Sequence, residues 1–124
     1  MPTRKPTPTS KVAFAPWDVV LVPFPYADRL AEKRRPALVV SSPSLESEHG
    51  LTWVAMITSA ANRGWAGDVA IADLGISGLP APSLVRPSKI ATVDSARILR
   101  RIGTLAPGER GTVLKTLKRY SVAV

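Results

Sequence analysis

Short apolar runs, rich in β-branched residues, alternate with polar stretches of Pro, Gly, Ser and Asp along most of the chain. Residues 18–24 (DVVLVPF) read as a first strand, and Pro23 sets its end at a sheet edge or a bend, since proline has no N–H for a ladder. Further strands follow at 36–40, 51–57 (LTWVAMI), 69–71, 83–90 and 97–102. The stretches between them, PYADRLAEK, SSPSLESEHG, TSAANRGWAGD and DLGISGLPAP, read as loops. Trp53, inside an apolar strand, is expected in the core. The period changes only near the end of the sequence. In residues 107–120 (PGERGTVLKTLKRY), Val113, Leu114 and Leu117 mark an apolar helical face, with Pro107 suited to a first turn and basic residues to a last one. Gly111 weakens the middle of that helix. Short strands followed by one terminal helix predict a small, strongly curved β-barrel with the helix over one end or face.

Residues 1–15 break this rhythm. They are rich in Pro, Thr and basic side chains with little to bury, and predict a flexible basic arm ahead of one domain at 16–124. A chain of 124 residues, 45% hydrophobic and 21% charged, suits a single modest core. Seventeen Lys and Arg against nine Asp and Glu leave a net charge of +8 and a pI near 10.6, which draws polyanions, nucleic acid first among them. No apolar run is long enough to span a membrane and the N-terminus lacks a secretory segment, so the expectation is a cytoplasmic protein without membrane attachment.

Most familiar chemistry is missing. There is no cysteine, only one histidine, His49, no phosphate-binding Gly-rich loop and no nucleophile elbow. The acidic residues stand singly, so the residues call for no metal and no cofactor. What remains is positive charge beside a strand: KRRPALVVSS opens on Lys33, Arg34 and Arg35 and runs straight into apolar residues.

Four segments, DVVLVPFPYAD, KRRPALVVS, VAMITSAANR and GLPAPSLVRPSKIATVDSARILRRIGTL, resemble in order and spacing the MazF/PemK family of toxin–antitoxin ribonucleases. The resemblance covers about residues 17–120. It implies an SH3-like barrel with a C-terminal α-helix, a homodimer, and sequence-selective endonucleolytic cleavage of single-stranded RNA or mRNA. It also implies an antitoxin whose acidic, partly disordered segment blocks the site. Position by position, it makes Arg35, before the proline of RPALVV, a catalytic arginine, and Thr58 of ITS an active-site residue with Ser59 beside it. Arg86 of SLVRPSKI matches a functional arginine, with a structural ion pair as its alternative. The family's acidic residue two places on is Ser88 here, and the glycine usual before the first strand's aspartate is Trp17. Lys33, Arg34, Arg63, Trp65 and Lys89 are candidate RNA contacts, Trp65 either stacking on a base or packing. Arg97, Arg100 and Arg101 read as a phosphate-facing or solvated strand edge.

Cleavage without a metal uses the substrate's own 2′-hydroxyl and gathers negative charge on the phosphate. A guanidinium answers that charge at two oxygens at once, and a threonine hydroxyl adds a further hydrogen bond. A guanidinium is too basic to serve readily as a general base, so Arg35 reads as electrostatic stabiliser or proton donor and the base stays open. Two other readings of the same fold stand beside this one. A gyrase poison of the CcdB type relies on an apolar tail ending in Trp-Gly-Ile, whereas this chain ends SVAV. A catalytically silent RNA-binding regulator is the other, supported by Ser88.

Overall fold

Strand β1 (Asp18–Pro25) lies between β2 (Glu32–Val39) and β6 (Arg100–Thr104), and every strand pairing is antiparallel. The computed structural model describes residues 12–25, 32–62 and 64–122. With β3 (Leu51–Ser59), β4 (Val69–Ile71) and β5 (Ser83–Asp94) the sheet takes the order β4-β5-β3-β2-β1-β6, curled into a half-barrel. Helix α3 (Pro107–Tyr120) follows.

Both faces of this sheet are covered, which explains why the strands read as unbroken apolar runs rather than alternating ones. On one face Val19, Leu38, Ala55, Ile57 and Val85 pack with Leu105 and with Val113 of α3. On the other, Val20, Val22, Ala37, Val39 and Val54 pack with Ile98 and Phe14. Neighbouring residues of one strand thus serve opposite cores.

The strand count and the terminal helix agree with the sequence reading; several boundaries and contacts do not. Strand β2 begins at Glu32 rather than at residue 36, so Lys33, Arg34 and Arg35 belong to the strand. β5 runs on to Asp94, and a single 3-10 turn, Ser95–Arg97, stands where the last strand was expected to begin. Residues 41–50, expected as a loop, contain helix α1 (Pro43–His49), which buries no residue and so leaves no apolar period to detect. Helix α2 (Leu74–Ser77), in another expected loop, is a single turn capped by the Asp73 carboxylate on the Ile76 N–H.

Two expected core side chains stand outside it. Trp53 is 47% exposed. It shares a strand face with Ala55 and Ile57, but α3 packs on β4 and β5 at the far end of that face and leaves Trp53 uncovered. On α3 the inward-facing stripe is Val113, Thr116 and Leu117, spaced i, i+3, i+4, so the exposed Leu114 lies off it.

Residues 1–11 of the expected arm lie outside the described residues. Its last residues are fastened to the barrel: Ala13 and Phe14 donate backbone N–H bonds to Glu46 of α1, and Ala15 donates to Asp18 Oδ2 at 2.9 Å. Trp17 has φ +77°, a left-handed conformation natural to glycine. The strain is held by three hydrogen bonds to the Trp17 backbone: Trp17 N–H donates to Val39 O, while its carbonyl accepts from Leu105 N–H and from the Thr104 hydroxyl.

Candidate active site

The ladder between β2 and β3 runs only from Val39↔Val54 to Ala37↔Met56. The next residue of β2 is Pro36, which has no N–H to donate, and there the strands part. Continuing the register one step would set Pro36 against Ile57, and a second step sets Arg35 against Thr58. These two residues therefore flank the mouth of a fork. Each is backed by an intact ladder on its other side, Arg35 by Val22 of β1 and Thr58 by Leu84 of β5.

The fork opens into a groove of about 620 Å³ whose lining includes Arg34, Arg35, Thr58, Ser59 and Arg100. Its wall is residues 78–83, the connection from α2 into β5. This wall sits hard against β6. Gly78 has φ +74° and a Cβ there would run into the Ile102 carbonyl, while a Cβ at Gly103 would run into the Ser77 carbonyl. Backbone thus rests on backbone at two glycines, which sets the wall's distance from Arg100 and Ile102.

Thr58 is held from the side. Its Oγ1 accepts a hydrogen bond from Asn62 Nδ2 at 2.9 Å, across the 3-10 turn Ala60–Asn62 that ends β3. Ser59 Oγ accepts from Ala61 N–H at 3.2 Å and so braces the same turn. Asn62 was not among the residues singled out from the sequence. The signal available was TSAAN itself, a polar side chain four places after Thr58 in a segment too short to be anything but a turn.

Arg86 is 8% exposed and lines no part of the groove. Its Nε and Nη2 donate to the two carboxylate oxygens of Asp68, each at 2.9 Å, and Nη2 also donates to the Asn62 carbonyl at 2.9 Å. The hydrogen bonds it donates to Asp68 raise the Arg86 pKa further above an already high value, and burial opposes them only in part. This guanidinium is a permanent cation. The Trp65 ring lies over it, 4.2 Å from the guanidinium carbon to the ring centroid, and Lys89 Nζ is 5.9 Å from the same centroid. Trp65 stays half exposed on the rim of a second depression that shares Pro82 and Ser83 with the groove.

The remaining candidates divide. Lys33 is exposed on β2 outside the groove lining, and Ser88 is exposed beside Lys89 on β5. Pro87, Ser88 and Lys89 form a bulge, since Arg86 pairs with Met56 while Ile90 pairs with Ala55. Arg63 lies outside the described residues. Arg101 donates from Nε to Asp18 Oδ1 at 2.9 Å, and His49 is exposed at the end of α1. Among the described residues no group of three or more His, Cys, Asp or Glu is arranged to hold a metal ion, and no helix is long and apolar enough to cross a membrane.

Comparison with solved structures finds the same fold repeatedly. A MazE–MazF complex from Deinococcus radiodurans superposes with a TM-score of 0.70 at 19% identity, covering 86% of this chain and 94% of that one. The Mycobacterium tuberculosis toxin MazF-mt6 gives 0.66 at 22% identity, covering 82% and 93%. An endoribonuclease in complex with its cognate antitoxin from a mycobacterial species gives 0.68 at 17%, covering 86% and 93%. No curated protein sequence matches the chain. The family model described as PemK-like, MazF-like toxin of type II toxin–antitoxin system matches residues 15–120, and with a match over nearly its whole length the chain belongs to that family.

Proposed function

We propose that this toxin is an endoribonuclease that cuts single-stranded RNA, mRNA included, at selected sequences in the Arg35–Thr58 groove. The observation that supports the reading is the groove at the fork, which Arg35 and Thr58 line together with Arg34 and Arg100. In the reaction, the substrate's 2′-oxygen forms a bond to phosphorus as the bond from phosphorus to the 5′-oxygen breaks. The 2′-hydroxyl loses its proton to a base and the 5′-oxygen gains one. Arg35 meets the charge building on the non-bridging oxygens or supplies the proton to the leaving oxygen, and Thr58 donates a hydrogen bond to the same phosphate. None of these steps needs a metal. The products are a 2′,3′-cyclic phosphate and a 5′-hydroxyl.

Two partners belong to the same reading. Structural neighbours in complex with antitoxins support an antitoxin partner, and the net charge of +8 suits an acidic, partly disordered segment of it that occupies the groove in place of RNA. The half-exposed Trp53 and Ile90 on adjoining strands support pairing of two copies into a homodimer. The site of action is the cytoplasm, where mRNA is found.

Incubating the purified protein with a long RNA in EDTA tests the enzyme. Discrete fragments with cyclic-phosphate and 5′-hydroxyl ends are expected, and a substrate with deoxyribose at the cut position is expected to bind without being cut. Activity abolished by EDTA overturns the mechanism. RNA that is bound but left whole identifies a silent RNA-binding protein instead.

A further inference from the structure

A threonine hydroxyl donates one hydrogen bond and accepts two, and what reaches its oxygen decides where its hydrogen can go. At Thr58 the group on the oxygen is a donor, the Asn62 amide N–H, so the hydroxyl hydrogen stays available for an acceptor in the groove. A carboxylate or carbonyl oxygen in the place of Asn62 Nδ2 would capture that hydrogen and leave the groove without it.

Asn62 itself is not left to chance. Its carbonyl accepts from Arg86 Nη2 at 2.9 Å, and the same Nη2 is tied to Asp68 Oδ2 at 2.9 Å. Arg86 Nε completes the fork on Asp68 Oδ1, and the Trp65 ring covers the guanidinium face. The turn is further pinned by the Ala60 N–H bond to the Pro82 carbonyl at 3.0 Å, which ties it to the groove wall. A buried ion pair, a backbone carbonyl, a side-chain amide and a hydroxyl thus form one chain of contacts that ends in the groove.

We propose that Asn62 is a positioning residue for RNA cleavage. Its amide directs the Thr58 hydroxyl hydrogen into the groove toward a phosphate oxygen, and the Asp68–Arg86 pair anchors Asn62 for that task. The inference rests on the groove being an RNA-cleavage site. Arg86 then serves the reaction through Asn62, without touching the substrate.

The test is a double-mutant cycle on kcat and KM for a short RNA. It is read after the unmodified protein has been seen to cut that RNA and Thr58→Ala to cut it more slowly. Asn62→Ala is expected to lower kcat about tenfold with KM changed less than about twofold, the scale of one neutral hydrogen bond used in the transition state. Asn62→Asp, of the same size, turns the donor into an acceptor beside an anionic substrate and is expected to cost about a hundredfold or more. In a Thr58→Ala background, Asn62→Ala is expected to add nothing, because both act through one hydroxyl. Arg86→Lys, unable to serve the carboxylate fork and the carbonyl together, is expected to lower kcat while leaving affinity for the uncleavable deoxy substrate unchanged. Asn62 is exposed, so its variants keep the fold, and melting temperature checks this. Wild-type kcat in both Asn62 variants, or an equal loss from Asn62→Ala with and without Thr58, overturns the inference. If the unmodified protein leaves RNA whole, the reading of the groove falls first.

Discussion

Arg35 and Thr58 line one groove together with Arg34 and Arg100. The motifs RRPALVV and ITS single out Arg35 and Thr58, but only the parting of β2 and β3 after Ala37↔Met56 opens the groove that both line. Arg86 shows the opposite outcome. Sequence position suggested either a functional arginine or an ion pair, and the Asp68 carboxylate eighteen residues away supplies the ion pair. Nothing in the sequence ties 68 to 86 before the β4–β5 hairpin is formed. For Arg35 the expected consequence is sharp. Arg35→Ala is expected to slow cleavage by about a hundredfold or more, the scale of one lost transition-state donor, while RNA binding weakens much less. Arg35→Lys is not expected to rescue fully, since an ammonium cannot bridge two phosphate oxygens as a guanidinium does. Arg34→Ala, exposed on the groove's edge, is expected to act mainly on affinity. Single-turnover rates and equilibrium binding of a deoxy-substituted RNA separate the two effects. Full cleavage by Arg35→Ala with loss in Arg34→Ala would move the catalytic role to the neighbouring residue.

At the scale of elements, strands whose neighbouring residues serve opposite cores announce themselves by apolar runs such as VVLV in β1 and WVAMI in β3. Helix α1 does not, because it buries nothing, and α2 is one turn long. The groove wall after α2 was unreadable for a related reason: its position depends on Gly78 and Gly103, which are far apart in sequence and meet backbone to backbone. Glycines here do two different jobs, and substitution separates them. Gly103→Ala forces a methyl group into the Ser77 carbonyl and is expected to destabilise the fold by about 1–3 kcal/mol while displacing the wall and lowering cleavage. Gly111→Ala, inside α3 with nothing near its Cβ position, is expected to stabilise by about 0.5–1 kcal/mol through helix propensity and a less flexible unfolded chain. Denaturant midpoints of the two variants measure both signs. Equal effects would mean that the α2–β6 contact is looser than its geometry indicates.

For the whole molecule, the net charge of +8 acts where the groove concentrates it. Arg34, Arg35 and Arg100 line one side-opened cleft, while Arg86 and Arg101 are committed to Asp68 and Asp18. A single strand of RNA crossing the groove can set its phosphates against the three lining cations and release the counterions it held. Three phosphates neutralised on single-stranded nucleic acid give a slope of about −2 in log K against log salt, so affinity should fall about twentyfold between 50 and 200 mM salt. Arg100→Ala should bring the slope toward about −1.4 without changing which products are made. The acidic antitoxin segment proposed above would meet the same cations, so its association rate should fall over the same range as screening shortens the reach of the attraction. Stopped-flow association of such a segment and equilibrium RNA binding, run in one salt series, measure both. A flat rate for the segment beside a steep slope for RNA would mean that the antitoxin is recognised by apolar contact elsewhere, and that the groove's charge serves RNA alone.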